Sequence, residues 1–136
     1  MEIVICKDAQ EVGKVAADRL TSYIEGLPTP VIGLATGSSP LALYSELASR
    51  VAAGGLDLSH ALGFALDEYV GIELSHPESY HNVINSKVVE PLRMTPSRVR
   101  VPNGLAEDLQ AAADEYDEAI ELAGRVDVQI LGIGSN

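Results

Sequence analysis

Short apolar runs alternate with amphipathic stretches along the whole 136-residue chain. "EIVIC" (2–6), "VIGLA" (31–35), "ALGFAL" (61–66), "RVRVP" (98–102) and "VDVQILGIG" (126–134) read as five strands. Between them, Val12, Val15, Ala16, Leu20, Tyr23 and Ile24 recur at helical spacing. Leu43, Tyr44, Leu47, Ala48 and Val51 do the same in a second helix over 40–51. A third helix is expected over about 78–89. A long one over 107–123 places Leu109, Ala112, Ala113, Tyr116, Ile120 and Ala123 inward. "GLPTP" (26–30), Gly54–Gly55 and Pro91 punctuate the series.

That alternation leaves few architectures open. "ALGFAL" is apolar at every position, which suits a strand covered on both faces. Strand following helix repeatedly means βαβ units and a mostly parallel sheet. The expected fold is a three-layer open α/β sheet, Rossmann-like, truncated after the fifth strand, in one domain over 1–136. In such sheets ligands bind beyond the carboxyl ends of the strands. Three loops lie there: "ATGSSP", "LDEYVG" and "LGIGSN".

Composition narrows the partner. With no Trp, one Phe and five Tyr, the core must be aliphatic. A net charge of −11 argues against nucleic acid, whose phosphates need clustered Lys and Arg. An anion site would then rest on local N–H groups and a few cations. Cys6 is the single cysteine, so no internal disulfide forms; it is expected to pack at the end of the first strand. No apolar run approaches the roughly 20 residues of a membrane span, and "MEIVICKDAQ" lacks the pattern of a leader peptide. A cytoplasmic protein with no membrane partner is the expectation.

The loops carry the chemistry. In "TGSSP", Gly37 lets the backbone adopt positive φ, Ser39 can cap the following helix, and Pro40 fits its first position. Thr36, Ser38 and Ser39 add hydroxyl donors at a helix end that favours anions. A capped turn and an anion cradle both satisfy this stretch; the missing Lys and longer glycine spacing exclude a P-loop. Asp67 and Glu68 follow a wholly apolar strand and point to opposite sides, so one of the two can enter a given pocket. A carboxylate there can serve as a general base, or the two can simply be solvated in a loop or cap a helix. His76 and His81 have no third ligand at metal spacing and read as loop anchors, and His60 as a surface residue. No metal or Ser-His-Asp site is expected. "GIGSN" (132–136) is either a second close-approach loop or a tight turn.

"LATGSSP", "LDEYVGIELSHPESYHN" and "ILGIGSN", in this order and spacing, resemble the glucosamine-6-phosphate deaminases, also called glucosamine-6-phosphate isomerases. The resemblance runs from the first strand to the last residue and covers roughly the N-terminal half of such an enzyme. It implies a cytoplasmic hydrolase of amino-sugar metabolism that converts glucosamine 6-phosphate to fructose 6-phosphate and ammonia, coupling aldose–ketose isomerisation to deamination. No cofactor or metal is implied. Thr36, Gly37, Ser38 and Ser39 resemble the family's phosphate-binding turn. Asp67 resembles the base that moves a proton between C1 and C2, and Asn136 the residue that assists ring opening. The family's ring-opening histidine, a nearby Glu and further cations of the phosphate site have no counterpart here, so 1–136 alone is expected to be inactive or nearly so. The expected ligand is a small sugar phosphate, and a homo-oligomer is among the expected partners. The related 6-phosphogluconolactonases, which typically lack the tyrosine-containing motif pair, give the alternative hydrolase. A non-catalytic sugar-phosphate-binding module is the alternative from another class.

Overall fold

A computed structural model describes residues 1–133. Four parallel strands form the sheet: β1 (Val31–Leu34), β2 (Leu62–Ala65), β3 (Val99–Arg100) and β4 (Val128–Gln129). Their order is β3-β2-β1-β4, with Val31 beside Leu62, Leu34 beside Ala65, Gly63 beside Val99 and Ile32 beside Val128. Helix α1 (Ala9–Ile24) precedes β1 and α2 (Leu41–Ala52) joins β1 to β2. A short α3 (Tyr80–Ile84), a π-helical turn (Asn85–Val89) and a 3-10 turn (Pro96–Arg98) lead to β3, and α4 (Leu109–Leu122) leads to β4.

Alternation along β1 sorts its side chains between two faces. Ile32 and Leu34 join Leu20 and Ile24 of α1, Leu47 and Val51 of α2, and Val88 of the π turn in one aliphatic core. On the other face, Phe64 meets the Tyr116 ring of α4 edge-on, at 5.9 Å. Asp8 starts α1 and Asp108 starts α4; each carboxylate accepts the N–H three residues on, from Glu11 and Ala111. The three-layer parallel α/β fold expected from the alternation is present.

Four expectations need correction. "EIVIC" forms no strand: a strand needs a partner edge, and the segment pairs with none of the four described strands, leaving Ile3 and Ile5 74% and 94% exposed. The sheet therefore has four strands among the described residues rather than five, and Cys6 is half-buried without a strand end to close. Val12 and Tyr23 of α1 face outward. Helix α4 has no fully buried residue: Leu109 and Ala113 are exposed, and Ala112, Tyr116, Ile120 and Ala123 are half-buried. Its recorded sheet contacts run through Tyr116 to Phe64, Ala65 and Arg100, and β3 there is only two residues long, too narrow a surface to cover a helix face. Among the described residues no helix is long and apolar enough to cross a membrane.

Candidate functional site

The chain leaves β1 toward β2 on one side, while β4 adds on the other. This reversal creates a crevice at the carboxyl ends of β1 and β4, where open α/β sheets hold ligands. The Thr36–Ser39 turn lies there. Gly37 has φ +86°, a conformation that side chains resist, and no atom lies where its Cβ would be. Ser39 does not cap α2. Pro40 takes the cap position without a side-chain bond, and Ser39 Oγ instead donates to the Ile133 carbonyl at 2.8 Å, tying the turn to the segment after β4. The cap was the local solution, and the long-range carbonyl won it. Among the described residues nothing accepts the N–H groups of Gly37, Ser38 and Ser39. They remain available beside the positive end of a twelve-residue helix.

Asp67 and Glu68 separate as adjacent residues on an extended chain must. Glu68 turns inward and accepts three backbone N–H groups: Tyr69 at 2.8 Å, Tyr80 at 3.0 Å and His81 at 2.9 Å. Partial burial pushes its carboxyl up, but the N–H groups of Tyr80, His81 and Tyr69 together hold it below the usual carboxylate range. Asp67 is left exposed, with no described group bonded to its carboxylate. Glu68 clamps the backbone at the start of α3, and Asp67 is exposed.

Tyr80 joins the two loops. Its hydroxyl donates to the Tyr69 hydroxyl at 3.1 Å, and the two rings lie 4.9 Å apart. Its phenol is pushed up, first by that bond, then by burial and the nearby Asp67 charge, while the Thr36 hydroxyl facing it pulls it down. Thr36 and Asp67 each lie two residues past the last β1–β2 pair, Leu34 beside Ala65, so the turn and the loop leave the same end of the sheet on neighbouring strands. Sequence reasoning missed Tyr80 and Tyr69, whereas Glu68 takes the helix-capping alternative, at the start of α3. The signal available was the "HPESY" stretch, whose residues proved local anchors. Ser79 is fully buried; its Oγ accepts from Asn82 N–H at 3.0 Å and donates to the Leu74 carbonyl at 2.9 Å. His76 Nδ1 accepts from Glu78 N–H at 3.1 Å, and His60 is exposed, as expected of an anchor and a surface residue. Gly104 was also missed. Its N-terminal neighbours bring the chain against the Tyr69 backbone where a Cβ would collide, and its carbonyl accepts from Gly71 N–H at 2.8 Å.

The family model of glucosamine-6-phosphate isomerases/6-phosphogluconolactonase matches residues 7–136. The chain belongs to that family. Within it, the chain is 49% identical over its full length to the glucosamine-6-phosphate deaminases of Pseudarthrobacter chlorophenolicus and Mycolicibacterium smegmatis, covering 52% of each. It also matches a solved structure of a monomeric glucosamine-6-phosphate deaminase at 34% identity and a TM-score of 0.93, over 98% of this chain and 56% of that one. A 6-phosphogluconolactonase of Thermotoga maritima, at 18% identity and a TM-score of 0.72, shares the fold. The chain spans about half the length of the curated relatives it matches. Asn136, which the resemblance links to ring opening, lies outside the described residues.

Proposed function

We propose that this chain supplies the phosphate-holding and proton-transferring half of a glucosamine-6-phosphate deaminase. The observation that carries this is the exit of the Thr36–Ser39 turn, with its free N–H groups, and of the exposed Asp67 from neighbouring strand ends, each just past the Leu34–Ala65 pair, in a chain 49% identical to enzymes of that name. The turn's free N–H groups and hydroxyls hold the phosphate, so that C1 and C2 of the opened sugar come within reach of Asp67. Its carboxylate takes the proton from C2 as the C1 carbonyl becomes an enol, then returns a proton to C1. The resulting C2 imine takes up water and releases ammonia, leaving the C2 carbonyl of fructose 6-phosphate. A positioned base of this kind contributes about 10²–10⁴-fold, and remote phosphate binding supplies the orientation it needs. Asn136 assists ring opening in this reading. No cofactor enters the scheme.

The test is ammonia release from glucosamine 6-phosphate by the complete protein that carries this chain, against hydrolysis of 6-phosphogluconolactone. Ammonia release that falls about 10²–10⁴-fold in Asp67→Asn with sugar-phosphate binding retained supports the reading. Unchanged turnover in that variant removes Asp67 as the base and favours a binding module. Residues 1–136 alone are expected to show no turnover.

A further inference from the structure

Tyr44 is 3% exposed, yet it carries a hydroxyl. That hydroxyl donates to the Ala35 carbonyl at 2.8 Å and accepts the Ala35 N–H at 3.0 Å. Ala35 is the first residue past β1, whose pairing with β2 ends at Leu34 beside Ala65, while the adjoining bond from β4 reaches only as far as the Gly33 carbonyl. Both polar groups of its backbone are thus beyond the ladder and buried. A single phenol satisfies the two, using its one proton and one lone pair. Tyr44 sits in the first turn of α2, where its own N–H reaches the Pro40 carbonyl. The strand end and the helix start are therefore stapled at one atom, and the residues between them are Thr36 to Pro40.

We propose that the Tyr44 hydroxyl is a positioning residue for the Thr36–Ser39 turn, holding its free N–H groups in the arrangement that receives the substrate's phosphate. This rests on the phosphate reading of that turn. With Ala35 fixed in both its N–H and its carbonyl, the entry into Thr36 cannot rotate. At the other end Leu41 N–H bonds the Ser38 carbonyl at 3.3 Å, and Ser39 Oγ holds Ile133. A turn so closed pays little ordering entropy when an anion arrives.

The experiment uses residues 1–136 and inorganic phosphate, followed by amide NMR, with hydrogen exchange measured on the free chain. Tyr44→Phe keeps the ring and removes the hydroxyl. It should speed exchange at residues 35–39 and weaken phosphate affinity about tenfold. Tyr116→Phe is the control: its hydroxyl shares its proton between two carbonyls, Ala65 at 2.8 Å and Arg100 at 3.0 Å, outside the turn. That variant should leave both readouts of the turn unchanged. Turn exchange or phosphate affinity at the wild-type level in Tyr44→Phe overturns the proposal. If the variant does not fold, the wild-type chain decides: a slowly exchanging Tyr44 hydroxyl proton with a nuclear Overhauser contact to the Ala35 amide is expected, and a freely exchanging one overturns it. A wild-type chain whose residues 36–39 do not respond to phosphate overturns the phosphate reading itself, whatever the exchange rates show.

Discussion

Removing the Glu68 carboxylate should loosen the wall of the site before it unfolds the protein. Two of its three bonds, to Tyr80 and His81, cross from the loop after β2 to the start of α3; the third reaches only its neighbour Tyr69. Hydrogen bonds to a charged group contribute about 1.5–3 kcal/mol when buried, and a half-buried carboxylate warrants about 1 kcal/mol for each cross-loop bond. Glu68→Ala should therefore cost about 2 kcal/mol. Glu68→Gln keeps one acceptor but sets an amide NH₂ against the other N–H, for a loss of about 1–2 kcal/mol. At this chain length each kcal/mol lowers Tm by about 4 °C, so the alanine variant should melt about 8 °C early. The carboxyl is held below its ordinary value of 4.5. Its stabilisation is accordingly present above that pH and lost as pH falls through the folded-state value. Circular-dichroism melts of wild type and Glu68→Gln should differ at pH 7 and converge as pH falls well below the ordinary carboxylate value of 4.5. Equal Tm values at pH 7, or a gap that persists at low pH, would refute the clamp.

Other outcomes follow from the buried hydroxyls. Burial pushes the Tyr44 phenol up to about 12 and the Tyr116 phenol higher still, with their backbone bonds pulling the other way. Stability held by these neutral phenols is present below the ordinary value of 10 and lost as pH rises through the folded-state values, so in an ultraviolet titration the Tyr44 and Tyr116 phenols should ionise together with alkaline unfolding, above pH 10. Ser79→Ala removes the α3 cap and leaves the Leu74 carbonyl without its hydroxyl; a loss of about 2 kcal/mol is expected in urea unfolding, with Ser79→Thr recovering part of it.

The elements that were legible in the sequence are those whose burial pattern is local. The apolar run of β2, the spacing of Leu43, Leu47 and Val51 and the glycine of the Thr36–Ser39 turn each name their own structure, and all three are present. "EIVIC" has an equally good strand pattern, but a strand exists only with a partner, and pairing is a property of the whole sheet. α4 shows the same limit, since a helical stripe says which face is apolar and not how much surface waits beneath it. At the site, the loop positions were legible and the division of labour was not. Glu68 is chosen as the clamp by N–H groups twelve and thirteen residues away, and Tyr80 matters because the fold brings it against Tyr69. Ser39 had a helix start beside it and bonded Ile133, 94 residues on, instead.

The most direct measurement of the central claim is an amide NMR titration of residues 1–136 with glucosamine 6-phosphate, with unphosphorylated glucosamine as the comparison. Saturable shifts at residues 36–39, extending to Asp67 and Tyr80 and absent with glucosamine, are the predicted result. Shifts that leave residues 36–39 and Asp67 unmoved, or that glucosamine reproduces, would contradict a phosphate-anchored substrate at this end of the sheet.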